Sequence, residues 1–352
     1  MKRKLFTYMI VVSLGSGCIP QLPTVKPITS PLVVNWTPPL PTSTPLPKAG
    51  ESIAAIPVGD QPVSLAFGEG SIWVANAGSG TISRIDTATN TVIAETKIGE
   101  VGGDYGSPLS VSLVEGAVWV TDNAGFAVVR IDPKTNQVVQ RIPLERTDSG
   151  FPTPIMPYQL RASNEAVWVT ALDFNRVIRI DPATNKVVDT LEIPSPAGIA
   201  IYESNVWVAN HREDTVTKID MEKNEIVATI PLGGPGPSDA CSLCAEGIVA
   251  NDTGVWITLA GGNSVVHLDQ RTHAIIATIP SIGTQPAGIA HSEEGVWVTA
   301  LASGRLTLID PNSDQIIGAI NIPASAGIVT GDGDVWIGDV FYDKVVRIKP
   351  TH

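Results

Sequence analysis

A tryptophan that returns seven times at similar spacing is the strongest constraint on how this chain can fold. Each one lies in an alternating run such as SIWVAN or AVWVTD, with an apolar run such as SPAGIA before it and two runs such as RVIRID and KVVDTLEI after it. Four short alternating strands per unit of about 40–45 residues predict an all-β, seven-bladed β-propeller of four-stranded antiparallel blades. The residues are Trp73, Trp119, Trp168, Trp207, Trp256, Trp297 and Trp336, separated by 46, 49, 39, 49, 41 and 39 residues.

Six related pentapeptides separate the third and fourth predicted strands of the blades: DTATN, DPKTN, DPATN, DMEKN, DQRTH and DPNSD. Asp in the first place accepts backbone N–H groups, and Asn, His or Asp in the fifth place tolerates a left-handed backbone. Their oxygen atoms also suit a metal ion. Because the pattern returns wherever a hairpin is needed, it favours a turn over a metal site.

Ring closure is predicted by a strand that is missing at one end of the repeat and present at the other. The last unit stops at DKVVRIKP, after its third strand, whereas ESIAAIPVGD at residues 51–60 matches the fourth strand of other units. We therefore expect the N-terminal strand to complete the last blade of a propeller spanning residues 51–350, which leaves no exposed sheet edge.

The first 50 residues predict export and a tether. Residues 1–17 combine Lys2, Arg3 and Lys4 with a short apolar run and small residues, the order of a signal peptide. Gly-Ser-Gly-Cys then resembles a bacterial lipobox in which Cys18 is acylated, although ordinary signal cleavage is the alternative. Residues 18–50 contain nine prolines between Pro20 and Pro47, too many for a sheet or helix. We expect a membrane-anchored, extracytoplasmic lipoprotein, or otherwise a secreted protein.

The charge of the chain excludes one large class of partner. The formal net charge is −12, and the first 50 residues hold none of the 35 acidic side chains. The remainder is thus strongly acidic and repels phosphate backbones. We expect a monomer with no nucleic-acid partner.

The repeats resemble the YVTN β-propellers and the streptogramin B lyases, also called virginiamycin B lyases. The resemblance covers residues 51–349 and rests on Pro-x-Gly-Ile-Ala, Gly-Val-Trp-Val-Thr and Ile-Asp-Pro-x-Thr-Asn. Resemblance to the lyases implies magnesium-assisted opening of a cyclic depsipeptide ester, with a catalytic His directly after the blade proline and a Glu three residues after the blade tryptophan.

Neither lyase position carries the expected residue, so enzyme activity stays uncertain and we lean against it. The residues at the first position are Val63, Leu109, Tyr158, Ala197, Glu246, Ala287 and Ala326, and none is His. The residues at the second are Asn76, Asp122, Ala171, Asn210, Leu259, Ala300 and Asp339, and none is Glu.

Three oxygen-bearing residues at the second position belong to neighbouring blades and are expected to face the central funnel. Asp339, Asn76 and Asp122 lie on blades 7, 1 and 2. Carboxylate and amide oxygens suit Ca²⁺ or Mg²⁺. The alternative is a hydrated polar channel without metal, and no other cofactor is expected.

Extra loop length points to recognition of a small molecule or a protein on one face of the ring. The connections at residues 99–109, 145–158 and 233–246 are long and emerge on the same face. Tyr158, Asn210, His211 and Glu246 are further ligand-binding candidates there, although such residues can also merely plug the funnel. We prefer an exported binding propeller, and the alternative is a metal-dependent hydrolase or lyase acting in the funnel.

The last of these loops contains Cys241 and Cys244. In an oxidising compartment a CxxC pair predicts a local disulfide. Half of a zinc site is the alternative, but the sequence contains no second CxxC pair.

Overall fold

The computed structural model describes residues 46–99, 107–146, 152–234 and 242–351. It confirms an all-β, seven-bladed propeller of four-stranded antiparallel sheets. A single 3-10 turn, Leu172–Phe174, interrupts the strands of the described residues. No helix among them is both long and apolar enough to span a bilayer.

Six blades are continuous in sequence, and the seventh is shared between the two ends of the described chain. The strands are β1 Gly50–Pro57, β2 Pro62–Gly68, β3 Ser71–Asn76, β4 Thr81–Asp86, β5 Thr91–Lys97, β6 Val111–Val114, β7 Ala117–Asp122, β8 Ala127–Asp132, β9 Gln137–Pro143, β10 Glu145–Arg146, β11 Thr153–Pro154, β12 Leu160–Ala162, β13 Val167–Ala171, β14 Arg176–Asp181, β15 Lys186–Glu192, β16 Pro196–Tyr202, β17 Asn205–Asn210, β18 Thr215–Asp220, β19 Glu225–Pro231, β20 Ala245–Asn251, β21 Gly254–Leu259, β22 Ser264–Leu268, β23 Ile275–Pro280, β24 Pro286–Ser292, β25 Gly295–Ala300, β26 Arg305–Asp310, β27 Gln315–Asn321, β28 Ser325–Gly331, β29 Asp334–Asp339 and β30 Lys344–Pro350.

The predicted closure is confirmed by the pairing of β1 with β30. Blade 7 has the strand order β1-β30-β29-β28, and its register runs from Gly50 opposite Pro350 to Pro57 opposite Lys344. Blades 1 to 6 are β2–β5, β6–β9, β12–β15, β16–β19, β20–β23 and β24–β27. Strands β10 and β11 form a separate small hairpin in the connection between blades 2 and 3.

Each repeated tryptophan lies in the interface between its own blade and the next. Seven buried apolar clusters are found in the described residues, and each contains one of these tryptophans. Trp73 of blade 1, for example, packs with Val118 and Val120 of blade 2, while Trp336 of blade 7 packs with Ile72 and Val74 of blade 1. The core is therefore seven similar interfaces arranged around the axis.

One face of the ring carries the pentapeptide turns, and we call it the turn face. There, an arginine over the repeated tryptophan of one blade bonds the turn of the next blade, and we call this contact the tie. Arg84 lies 4.8 Å from the ring centre of Trp73 and donates hydrogen bonds to Pro133 O and Asn136 Oδ1 in the turn of the next blade. Blades 2 and 7 repeat the arrangement. Asn136 and the fifth residues of the other pentapeptides have positive φ, which confirms the predicted turns.

Blade 6 lacks this tie for a topological reason. Its third strand carries Leu308 in the place of the arginine, opposite Trp297 in the register. The next blade is closed by β1, so no pentapeptide turn joins its third and fourth strands. An arginine in this position would find no turn to bond.

Several predicted features lie outside the described residues. These are the signal segment, Cys18, the tether up to residue 45, Cys241 and parts of all three long loops. They remain predictions.

Candidate functional site

The opposite face, which we call the long-loop face, carries the connections into each first strand and those between the second and third strands. The first strands line the central funnel, and neighbouring ones approach closely where the Pro-x-Gly pattern places a glycine. A Cβ on Gly198 would lie 2.0 Å from Glu246 O, and one on Gly247 would lie 2.1 Å from Ala287 O. Glycine is thus required at these two contacts between neighbouring first strands.

An irregularity at the start of the first strand re-aims the side chain that follows the proline position. In blade 5 the register of β20 with β21 shifts between Ala245 and Ile248, and blades 1, 4, 6 and 7 shift at the same place. Bulges of this kind commonly redirect a side chain beside a site. Glu246 is the only acid at this position among the seven blades.

Three of the predicted candidates meet at the mouth of the funnel on the long-loop face. Glu246 accepts a hydrogen bond of 2.6 Å from the Tyr158 hydroxyl at Oε1 and lies 3.0 Å from His211 Nδ1 through Oε2. Glu246 belongs to blade 5, Tyr158 to blade 3 and His211 to blade 4. The hydrogen bond between Tyr158 and Glu246 therefore passes in front of blade 4. The residue there that matches Glu246 is Ala197, which carries only a methyl group. We call this group the His–Glu–Tyr cluster.

Backbone contacts hold the cluster in place. Tyr158 N–H donates to Thr170 O at 2.7 Å, which extends the first strand of blade 3 towards the mouth. His211 N–H donates to Ser195 O at 2.8 Å, while its Nδ1 also lies 3.3 Å from Ala245 O. The side chain of His211 is 6% exposed and that of Glu246 is 19% exposed, so Glu246 is the more accessible member of the pair.

The contacts within the cluster favour its ionised form. Burial acts to lower the pKa of His211, but the hydrogen bond and the charge of Glu246 outweigh it and raise that pKa above its usual 6.5. Burial acts in the opposite sense on Glu246, where the bonds from His211 and Tyr158 and the charge of His211 lower the pKa below 4.5. Both shifts therefore favour a charged imidazolium beside a charged carboxylate.

The three predicted metal ligands each make hydrogen bonds within their own blade, and their role as a metal site stays a prediction. Asn76, Asp122 and Asp339 are fully buried, and each bonds within its own blade. Asn76 donates to Thr81 and Ser83, while Asp339 accepts from backbone groups of its own loop. Asp122 accepts from Ser107 and Gly125 and pairs with Arg141. Among the described residues, no three His, Cys, Asp or Glu side chains form a group suited to a metal.

Asn210 has the same arrangement as Asn76 and lies beside the cluster without joining it. Its Nδ2 donates to Thr215 Oγ1 and Thr217 Oγ1, both at 2.8 Å, and fastens the loop between β17 and β18. Cys244 is disulfide-bonded, but Cys241 lies outside the described residues, so their pairing stays a prediction.

Sequence reasoning selected Tyr158, His211 and Glu246 separately and did not place them in contact. The available signal was positional. Tyr158 and Glu246 share the place directly after the blade proline, and His211 follows the third residue after Trp207. All three positions lie at the long-loop end of an inner or second strand, but only the curvature of the ring shows that blades 3 and 5 reach each other.

Comparisons with known proteins agree with this architecture. The model of the virginiamycin B lyase family matches residues 94–352. Virginiamycin B lyase from Staphylococcus aureus superposes with a TM-score of 0.69 at 19% identity, over 84% of this chain and 98% of that one. A catalytically inactive His-to-Ala variant of that enzyme with quinupristin gives a TM-score of 0.67 at 19% identity, over 82% and 94%.

The same fold also occurs in proteins of quite different name. Hydrazine synthase of Kuenenia stuttgartiensis has a TM-score of 0.67 at 12% identity, over 89% of this chain and 99% of that chain. A search of curated protein sequences found no significant match. Similarity at these identities establishes the fold alone, whereas the family model covers well over half of the residues. The chain belongs to the virginiamycin B lyase family.

Proposed function

We propose that this propeller binds a polar ligand at the mouth of the funnel through the His–Glu–Tyr cluster. The observation that carries the proposal is a partly exposed acidic side chain, Glu246, held by a buried histidine and a tyrosine hydroxyl from two other blades. Convergent polar groups from separate elements at a concave opening are typical of ligand sites. The acidic chain favours a neutral or cationic ligand over an anionic one.

Exposed aromatic side chains on the same face provide apolar contact surface for such a ligand. Phe341 and Tyr342, in the loop between β29 and β30, are 65% and 72% exposed. Mixed polar and aromatic surfaces of this kind suit a cyclic peptide or a similar amphipathic molecule.

Acid–base catalysis at the same cluster is the second candidate. It is favoured by the His211–Glu246 pair, because a histidine oriented by a carboxylate is a common general base, and by membership of a family of lyases. In this chain the acid follows the proline position and the histidine follows a second strand. Glu246 thus occupies the position where the family resemblance implies His, and His211 lies one residue after the position where it implies Glu.

A ligand panel on the full chain tests both candidates. Thermal shift with quinupristin, neutral saccharides and short peptides identifies a ligand, and calorimetric titration with mass spectrometry then separates binding from bond cleavage. We expect Glu246→Gln and His211→Gln to weaken binding at least tenfold. Glu165→Gln, the same chemical change on the turn face, is the matched control. Unchanged affinity in both site variants contradicts a role for the cluster.

We further propose that the chain is exported and anchored to the membrane through acylated Cys18, as a monomer that needs no cofactor for ligand binding. The lipobox-like Gly-Ser-Gly-Cys and the proline-rich segment after it support this proposal. Incorporation of labelled palmitate that is lost in Cys18→Ala tests it, and a fully soluble wild-type protein contradicts it.

A further inference from the structure

A small cavity between blades 3 and 4 is lined by two residues that each have a buried oxygen atom without a hydrogen-bond partner. The cavity has a volume of about 290 Å³ and is lined by Asn210, Asp214, Thr215 and Thr217, among other residues. Asp214 is 2% exposed and Asn210 is 1% exposed. Neither Asp214 Oδ2 nor Asn210 Oδ1 has a hydrogen-bond partner. Burying a carboxylate oxygen in this way is costly unless something compensates it.

The direction of both side chains is fixed by their other atoms. Asn210 Nδ2 uses both of its protons on the two threonine hydroxyls, so Oδ1 must point away from them. Asp214 Oδ1 accepts the N–H of Leu243 at 2.9 Å, so Oδ2 is the atom left over. Gly234 lies against Oδ2, and a Cβ there would be 2.2 Å from it.

The fold does not require a carboxylate at position 214. Equivalent loop residues of blades 3 and 5 are Asn175 and Asn263, which have the same positive φ. Each accepts a backbone N–H of the next connection through Oδ1, Asn175 from Ser195 at 2.8 Å and Asn263 from Gln285 at 3.0 Å. An asparagine thus makes the same bond to the next connection. The second carboxylate oxygen of Asp214, Oδ2, is not needed for this bond and has no hydrogen-bond partner.

No basic side chain lines this cavity to balance the charge. Its other acidic residues are Glu192, which pairs with Arg176, and Glu213. An anionic cavity with carboxylate, amide and hydroxyl oxygens has the donor set of a hard cation. Ca²⁺ fits better than Mg²⁺ because it accepts irregular geometry and six to eight oxygen ligands, some of them water.

We propose that this cavity is a calcium site in which Asp214 Oδ2 and Asn210 Oδ1 are protein ligands. The site lies off the axis, between the outer parts of blades 3 and 4, and it is separate from the predicted metal ligands Asn76, Asp122 and Asp339. Bound calcium would stiffen the loop between β17 and β18. Because binding selects the folded state, it would raise the stability of the ring.

Calcium titration of the full chain after treatment with a chelator tests the proposal. We expect one calcium per chain by calorimetry and a rise in Tm of about 2–4 °C, the shift that a modest ligand stabilisation gives a domain of this size. Asp214→Asn keeps the bond to Leu243 and should abolish both signals. Gly234→Ala should abolish them by steric exclusion without a change of charge.

The matched control is Asp343→Asn at the equivalent loop position of blade 7. Asp343 has the same backbone conformation and accepts the N–H of Gln61 at 3.0 Å, but it is only half-buried. This variant should keep the full calcium response. Absence of any calcium response in the wild type overturns the proposal, and so does an unchanged response in Asp214→Asn with native circular dichroism.

Discussion

The two faces of the ring use the same strands in different ways. On the turn face, a residue type that appears in one blade returns in most of the others, as the arginine over the tryptophan and the asparagine of the neighbouring turn do. On the long-loop face some loop hydrogen bonds also recur, but the residues directly after the blade proline differ and the His–Glu–Tyr cluster occurs once among the described residues. Repetition in this propeller therefore identifies structural ties, whereas departure from the repeat identifies the candidate site.

Removal of β1 should have the largest effect, since it takes the fourth strand from blade 7. Deleting residues 50–57 exposes the edge of β30 and removes Ile56 from the apolar cluster between blades 7 and 1. We expect a loss of more than about 5 kcal/mol, which is comparable to the whole stability of a typical domain. The measurement is denaturant unfolding followed by circular dichroism. Deleting residues 18–45 instead should leave the transition unchanged, and equal effects of the two deletions would contradict this.

Arg347→Ala should break the tie that joins blades 7 and 1 on the turn face. Arg347 bonds Asp334 Oδ2 at 2.6 Å, Thr87 O at 2.6 Å and Asn90 Oδ1 at 2.9 Å. Since Asp334 is buried, the variant leaves an unpaired carboxylate, and we expect a loss of about 3–5 kcal/mol in urea unfolding. Adding Asp334→Asn should restore part of the loss. A double variant as unstable as the single one would show that the charge is not the cause.

Arg130→Leu tests how much of the tie is polar, because blade 6 already has a leucine in this place. Arg130 makes two bonds of 3.1 Å to the turn of blade 3 and lies over Trp119, but it has no acidic partner among its recorded hydrogen bonds. We expect a loss of about 1–2 kcal/mol by urea unfolding. Leu308→Arg, which meets no turn, should give no gain. A loss near zero in Arg130→Leu would mean that tryptophan packing alone holds the interface.

Glu246→Gln should have the smallest effect on stability and a clear effect on one titration. Without the carboxylate, burial dominates at His211, and its pKa should fall below 6.5 instead of lying above it. The imidazole proton resonances measured by NMR across pH report this directly. A histidine pKa that stays raised in the variant would show that Glu246 is not its partner.

The same pair predicts how stability depends on pH. Because the folded pKa of His211 is raised, its contribution is fully present below about pH 6.5 and is lost as the pH rises through the raised value. The lowered pKa of Glu246 adds stability above about pH 4.5 that is lost as the pH falls. The difference in unfolding free energy between wild type and Glu246→Gln should therefore be greatest between these limits.

The fold could be predicted almost completely from the sequence, because each blade repeats the same local signals. Tryptophan spacing, the turn pentapeptides and the displaced fourth strand are all local patterns, and the structure confirms each. The ties between blades were harder to foresee. Arg84 and Asn136 lie 52 residues apart, and only the ring places the third strand of one blade beside the turn of the next.

The candidate site was predicted only in its parts. Tyr158, His211 and Glu246 could be selected because they depart from the repeat, but their contacts depend on how far a side chain reaches across the funnel. Asn76, Asp122 and Asp339 also differ from most residues at their position, yet the hydrogen bonds that they make lie within their own blades. The position of a residue in the repeat predicts at which end of a strand it lies. It does not predict which neighbouring groups its side chain will bond.

Closure by β1 leaves the two strand ends of blade 7 directly opposite each other on the turn face, with Gly50 beside Pro350. A designed two- to five-residue linker between them would supply the turn that this blade lacks, and new ends could then be opened at any other pentapeptide. Such circular permutants would move the chain ends to another blade while leaving the long-loop face unchanged. In such a permutant, blade 7 has a turn between its third and fourth strands. An arginine introduced by Leu308→Arg in blade 6 could then bond that turn, as the corresponding arginines of blades 1, 2 and 7 bond the turns of their neighbours.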